Sequence, residues 1–473
     1  MGSRGVPDAA RALGGGDAAG SRRAPALGAR REPRHRHGRP RRVAARVAAV
    51  ARRCRRARHL LAPHRGARAP HPLAQPRTVA HQGAARAPVG GRRARRYTAR
   101  VIHAFDLAFP GRPARTHVRA GRGALVALGA AVRATTGARR VALVTDARVD
   151  ALWGDVARRV LARAGVACVT LRVPRGEAAK RPAHLAALWE ALAAADLGRR
   201  DAVVALGGGA VGDLAGLAAA TWLRGVPWIA APTTLLAQAD AALGGKTAVD
   251  LGAGKNLAGA FHQPAAVLAD PEALVTLPDR ALRAGLAEVV KKGMAVDAAL
   301  FRWLERHAAA LAARRADALE GAVARALRAK ARVVRADERE REGGPRTALN
   351  FGHTLGHALE AALGYRRLLH GEAVALGMRA AAALSERAAG LPARDRARLE
   401  ALLDVFALPR RMPPLPLAAL VAAMARDKKR GARGVRWVLT PRIGHASVPR
   451  PVDGRLVRAA LLEAGARATR VRT

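Results

Sequence analysis

Three histidines fall within 18 residues, in Asn350-Phe-Gly-His353-Thr-Leu-Gly-His357-Ala-Leu-Glu360 and His370-Gly-Glu372. His353 and His357 are four apart, so a helix puts both on one face. Glu288, in Ala284-Gly-Leu-Ala-Glu288-Val-Val-Lys291, adds an acid, with Lys291 one turn along. Two imidazoles and a carboxylate leave a position open on zinc, which is a catalytic rather than a structural arrangement. HExxH is absent, which excludes a standard zinc metalloprotease. A lone histidine in a helix is usually structural, so it is the clustering that points to a metal. Spacing alone does not choose between His353 and His357 as the ligand.

A second set of residues suits anions. Gly207-Gly-Gly209-Ala-Val-Gly212 satisfies GxGxxG between an apolar run and a helical one. Glycine there lets backbone approach a pyrophosphate seated on a helix N-terminus. A Rossmann site also needs an acid at the end of the next strand. Here Trp228-Ile-Ala-Ala231 runs into Pro232-Thr233-Thr234 with no acid. The standard Rossmann reading fails in that detail, while a dinucleotide on a related sheet survives. Gly244-Gly-Lys246-Thr247 resembles the end of a Walker A loop, but the first glycine of that motif would fall on Asp240, so an NTPase is disfavoured. Lys246 and Lys255, in Gly-rich apolar surroundings, instead suggest a phosphate or carboxylate site.

The elements that must hold these residues follow from periodicity. Val141–Thr145, Val166–Val173 and Asp201–Leu206 read as short buried strands. Helical spacing over Val149–Ala164, stopped at Gly165, and over Leu185–Ala195 separates them. Alternation of this kind predicts an α/β fold, a parallel sheet with helices on both faces. After Leu277 the periods become helical: Ala281–Met294, Ala298–Ala312, Asp317–Asp337, Leu349–Leu363 and Ala373–Ala389, with one late strand at Val435–Leu439. The expected organisation is a basic extension over 1–100, a dinucleotide-binding α/β domain over 101–276, and a helical metal- and substrate-binding domain over 277–473.

The chain carries a formal charge of +49 over 473 residues. Residues 1–100 hold 26 Lys and Arg against 3 Asp and Glu, with no long amphipathic period. Such a segment buries too little apolar surface to offset its chain entropy and is expected to be disordered. The concentration of charge there makes nucleic-acid binding a weak reading for the rest of the chain. Cys54 and Cys168, far apart, form neither a disulfide framework nor a CxxC knuckle, which fits a cytoplasmic protein. No apolar run reaches the roughly 18 residues of a membrane span.

Taken together, the motifs resemble the 3-dehydroquinate synthase family. The matching strings are Leu206–Gly216, Leu223-Arg-Gly-Val-Pro227, Pro232-Thr-Thr-Leu-Leu-Ala-Gln238, Gly244-Gly-Lys-Thr247, Gly254-Lys-Asn256, Arg283–Glu288, Asn350-Phe-Gly-His-Thr354, His370-Gly-Glu-Ala-Val374 and Asp427-Lys-Lys429, in family order over about residues 103–450. The resemblance implies zinc, or cobalt, on Glu288, His353 and His370, with His357 contacting a substrate phosphate. It implies NAD contacts from Asp146, Glu177, Lys180, Gly209, Ala210, Val211, Gly212, Asp213, Thr233, Thr234, Asp240, Lys246, Lys255 and Thr276. It implies substrate contacts from Arg224, Asp240, Lys246, Asn256, Lys291, Lys330, Arg346, Asn350, His357 and Lys428. The arginine matching Arg224 reaches a partner's site in that family, so a homodimer is expected. The implied activity converts 3-deoxy-D-arabino-heptulosonate 7-phosphate to 3-dehydroquinate and phosphate, in the shikimate pathway, with NAD regenerated at each turnover. The segment Asp337–Arg346 looks about two residues longer than usual, and Ala241-Ala242 replaces a common Ser-Ser. Alternatives are another sugar-phosphate cyclase, such as a valiolone or deoxy-inosose synthase, or a metal-dependent alcohol dehydrogenase of the glycerol dehydrogenase type. Retention of His357 argues against the valiolone type, and the set Lys246, Lys255, Lys330 and Lys428 against the dehydrogenase.

Overall fold

The structure, a computed structural model, describes residues 103–109, 115–426 and 435–468. The basic extension over 1–100 and Lys428 lie outside the described residues. The first half builds one seven-stranded sheet from β1 (His103–Ala108), β2 (Arg115–Ala120), β3 (Arg140–Asp146), β4 (Ala167–Val173), β5 (Ala202–Gly207), β6 (Trp228–Pro232) and β9 (Ala266–Ala269), in the order β1-β2-β9-β6-β5-β3-β4. Every pairing is parallel except β1 with β2 at one edge.

The side chains explain why the sheet is covered on both faces. In β3, Val141 and Leu143 join Leu128, Val132 and Leu161 from helices on one face. Ala142 and Val144 join Leu214 and Ala218 on the other. That second core continues without a break through Leu286, Val290, Leu327 and Leu376 of the helical half. The chain steps outward from β3 to β4, then returns to β5 on the other side of β3. The carboxyl ends of β3 and β5 therefore flank a topological switch point, where open α/β sheets bind ligands.

The helical half is legible from periodicity, with bounds shifted by a few residues. The expected helices appear as Asp279–Val296, Ala298–Ala312, Ala316–Ala336 and His370–Ala389. The period over 349–363 is divided. Pro345–Asn350 forms a tight turn, Gly352 has φ 82°, and the helix starts only at His353 and runs to Ala362. The Val149–Ala164 period is likewise three pieces, Ala147–Val149, a wide turn over Asp150–Gly154, and Asp155–Arg163. The late strand shrinks to Arg436–Trp437, paired with Arg450–Pro451.

The Gly-rich lysine run holds a feature periodicity did not reveal. β7 (Lys246–Leu251) and β8 (Gly254–Phe261) form an antiparallel hairpin, not a phosphate loop before a helix. β8 has no buried residue and carries little apolar alternation, so its strand signal is weak. Among the described residues, no helix is long and apolar enough to cross a membrane.

A candidate metal and nucleotide cleft

Glu288 lies in the Asp279–Val296 helix, His353 starts one helix and His370 starts the next. Gly371 lets the third approach the first. A Cβ on Gly371 would stand 1.8 Å from the Ala284 carbonyl oxygen, so any side chain there forces the two backbones apart. The result is a compact trio. His353 Nε2 lies 3.8 Å and His370 Nε2 3.6 Å from Glu288 Oε1. One potential ligand atom from each of the three residues lies within 4.8 Å of the others.

The remaining ring nitrogens are held from behind. His370 Nδ1 is 3.0 Å from Glu360 Oε2, and His353 Nδ1 is 3.4 Å from the Phe351 carbonyl. Second partners of this kind orient imidazole ligands toward a metal. Burial alone would depress the His370 imidazole, but Glu288 and Glu360 outweigh it and lift it to about 10. Burial would raise the Glu288 carboxyl, and Lys291 and His370 instead bring it to about 2. Both Glu288 oxygens are buried and accept no well-aligned hydrogen bond, although Lys291 Nζ is 2.5 Å from Oε2. An ionised carboxylate with one flank on a lysine and the other facing two imidazole nitrogens suits a divalent cation. A cation against Nε2 would also leave His370 its Nδ1–H for Glu360.

Beside this trio lies a basic floor. Asp240, in the turn Ala237–Ala241 after β6, meets Lys292 Nζ at 2.6 Å and Lys330 Nζ at 3.2 Å. Burial depresses Lys330 to about 8, only partly opposed by Asp240 and reinforced by Lys292, Arg346 and Lys291. Arg346 is 2% exposed. Its guanidinium donates to the carbonyls of Gly244, at 2.9 Å, and of Glu338, and makes no ion pair among the described residues.

On the sheet side, Gly209 opens the Gly209–Thr221 helix at the carboxyl end of β5. A Cβ on Gly209 would meet Ala241 at 3.4 Å, whereas one on Gly212 would meet nothing within 4 Å. The loop is thus packed at one glycine and open at the other, as close approach by a phosphate requires. A line of charges then connects the two sides. Lys180 pairs with Asp213 at 2.7 Å and touches Asn256 and Glu177. Lys255 sits 3.2 Å from both Glu177 and Glu360, and Glu360 holds His370.

Comparison with known proteins accounts for this layout. The N-terminal domain model of 3-dehydroquinate synthase matches residues 170–284, and the C-terminal domain model matches 285–430. The chain belongs to the 3-dehydroquinate synthase family. Among solved structures, a 2-deoxy-scyllo-inosose synthase in complex with carbaglucose-6-phosphate, NAD+ and Co2+ is similar at 27% identity and TM-score 0.70, covering 76% of this chain and all (100%) of its own. The 2-epi-5-epi-valiolone synthase from Streptomyces hygroscopicus subsp. jinggangensis 5008, with NAD+ and Zn2+ bound, is similar at 29% identity and TM-score 0.66, covering 77% of this chain and 98% of its own. Glycerol dehydrogenase from Schizosaccharomyces pombe, at 17% identity and TM-score 0.55, shares the fold.

Many of the residues expected from the 3-dehydroquinate synthase resemblance are brought together in two neighbouring sets. Glu177, Lys180, Asp213, Asn256 and Lys255 form the charged line, while Asp240, Lys291 and Lys330 form the floor beside Glu288. Lys246 pairs with Glu340, and Asn350 Nδ2 donates to Glu340 Oε1 at 2.6 Å. His357 packs beside His353 and His370, with ring centroids 5.1 and 6.1 Å away. Thr233 and Thr234 follow β6, and Ala210 and Val211 lie in the helix after the glycines. Asp146 ends β3, but its Oδ1 accepts from the backbone N–H groups of Arg148 and Val149. Thr276 is tied to Trp153 at 3.3 Å. Arg224 stands apart, exposed on the turn before β6, at the amino end of that strand. Motif reading passed over Glu340, Glu360 and Lys292. Glu360 was visible as the acid three residues after His357, on the same helix face.

Proposed function

We propose that this chain is a 3-dehydroquinate synthase, using NAD and a zinc or cobalt ion to convert 3-deoxy-D-arabino-heptulosonate 7-phosphate to 3-dehydroquinate and phosphate. The observation that carries the reading is Arg346. It is a buried guanidinium near Lys330 that donates to two backbone carbonyls, lies over the Phe261 ring and makes no carboxylate ion pair among the described residues. Its charge is therefore available to a ligand anion, and planar guanidinium matches carboxylate. A carboxylate is what separates the heptulosonate from a simple sugar phosphate such as glucose 6-phosphate. The retained His357 supports the same choice.

In this reading Glu288, His353 and His370 hold the ion, which when bound acidifies and orients substrate oxygens. Gly209–Asp213, Thr233 and Thr234, with Glu177, Lys180 and Lys255 nearby, Asp146 at the end of β3 and Thr276 at the end of the turn Pro271–Thr276, would hold NAD, which when bound supplies reversible hydride transfer. The protein's own work is positioning. Arg346 binds the carboxylate, Asp240 accepts from a ligand hydroxyl, and His357, Asn350, Lys246 and Asn256 surround the phosphate end. Lys291 keeps one Glu288 oxygen occupied. The family resemblance adds Lys428 as a further substrate contact, and Arg224 as a residue supplied by a second copy of the chain. The division of labour is nucleotide binding over 101–276 and metal and substrate binding over 277–473.

The test is phosphate release by the purified chain, supplied with NAD+ and Zn2+ or Co2+, on heptulosonate 7-phosphate beside glucose 6-phosphate. Only the first should turn over, and Arg346→Ala should raise its KM about ten- to a hundredfold. Consumption of glucose 6-phosphate in its place would move the chain to the inosose type.

A further inference from the structure

Lys292 has no place in the reaction outlined above, yet among the described residues it is the most completely buried cation in the cleft. Its side chain is 0% exposed and lies on the Asp279–Val296 helix, one turn after Glu288. An ammonium taken fully out of water is costly unless paired at close range. Its close partner is Asp240, at 2.6 Å from Oδ1, with the Glu288 carbonyl at 3.4 Å and Glu288 Oε2 at 3.8 Å. Lys291 and Lys292 are consecutive, so they leave the helix about 100° apart and serve different carboxylates, Lys291 on Glu288 and Lys292 on Asp240. Gly285 makes the reach possible, because a Cβ there would stand 2.8 Å from the Leu236 backbone nitrogen and hold the Asp240 turn away.

Lys330 also meets Asp240, at 3.2 Å from the same Oδ1 and 2.7 Å from the Asp240 carbonyl. Neutralising Asp240 does not require a second lysine. Two ammonium groups on one oxygen do something else. They fix the carboxylate's rotation, keep it ionised against burial and both make their nearest approach at Oδ1, which biases Oδ2 toward a ligand. Asp240 is next to Ala241, which packs on Gly209 of the glycine loop, and Lys292 links it to Glu288, so this residue lies between the nucleotide side and the metal trio.

We propose that Lys292 is a positioning residue that locks Asp240 as a one-sided acceptor for a ligand hydroxyl, either of the dinucleotide ribose or of the polyol substrate. The inference rests on the cleft binding NAD and a polyol phosphate, as argued above. The test uses the full chain loaded with Zn2+, as wild type, Lys292→Met, Asp240→Asn and the double variant. Calorimetry measures the dissociation constant for NAD+ alone, and then for a carbocyclic, unreactive analogue of the heptulosonate phosphate in the presence of NAD+. Lys292→Met should keep its zinc and weaken one of the two ligands about tenfold or more. Asp240→Asn should weaken the same ligand, and the double variant should be no weaker than Asp240→Asn. Loss on the NAD+ arm assigns the hydroxyl to ribose, and loss on the analogue arm assigns it to the substrate. Unchanged affinities in Lys292→Met, or losses that multiply in the double variant, overturn the proposal. If Lys292→Met does not fold, Lys292→Gln, which keeps a neutral donor, is read by the same criteria. A wild type that binds NAD+ but ignores heptulosonate phosphate refutes the assigned activity and leaves the NAD+ arm as the test of Lys292.

Discussion

His353 and His357 occupy one helix face yet stand in different company. His353 Nε2 faces Glu288, whereas His357 shares its neighbourhood with Glu360 and His370. His353→Ala should therefore lose most bound metal, while His357→Ala keeps it and loses about one to two decades of turnover through one charge-assisted contact. Metal analysis of both purified variants beside their kinetics is the check, and the reverse pattern would move the ligand one helical turn. Lys330 sets a second expectation. It is faced by Asp240, Lys292, Lys291 and Arg346, and burial brings it to about 8 from an ordinary 10.5. Its charge is present below about pH 8 and lost above, so substrate affinity should fall on the alkaline side of 8. Lys330→Met should be weaker throughout and lack that alkaline limb. Stability moves the other way. Between 8 and 10.5 the unfolded chain binds more protons than the folded one at this site, so its contribution to stability rises with pH.

At the scale of elements, the metal trio depends on how closely three helices meet. Gly371 faces the Ala284 carbonyl at a distance no side chain tolerates. Gly371→Ala should cost about 1–3 kcal/mol of stability, as overpacking does, and should weaken metal binding because His370 is the next residue. Denaturant unfolding with and without zinc separates the two effects. An unchanged metal affinity would show that the trio does not depend on this contact. The sheet contributes in a different way. Parallel strands buried on both faces put the loops after β3, β5 and β6 at one rim, and the glycines after β5 meet the Asp240 turn there.

Across the whole molecule, the family match covers residues 170–430, and the candidate site is built from Asp146 onward. Every residue assigned to the site lies beyond residue 145. A chain beginning at Val101 should retain the turnover and metal content of the full chain. A large fall in kcat, rather than in solubility, would show that the basic extension contributes to the chemistry.

Composition and spacing carried much of this protein without a structure. Alternating apolar runs and helical periods called for a parallel sheet followed by helices, because side-chain periods of 2 and 3.6 are local properties of the chain. The histidines, Glu288 and the glycines after β5 were legible as residue types in suggestive order. What the sequence left open was decided by approach between distant segments. Only packing turned His353 toward Glu288 and His357 toward Glu360. Only packing brought Lys330 to Asp240, 90 residues away, and set Lys292 against the same oxygen. The hairpin of β7 and β8 was hidden because β8 has no buried residue and carries little apolar alternation. Burial, and therefore the charge state of every group in the cleft, is a property of neighbours that no single stretch of sequence contains.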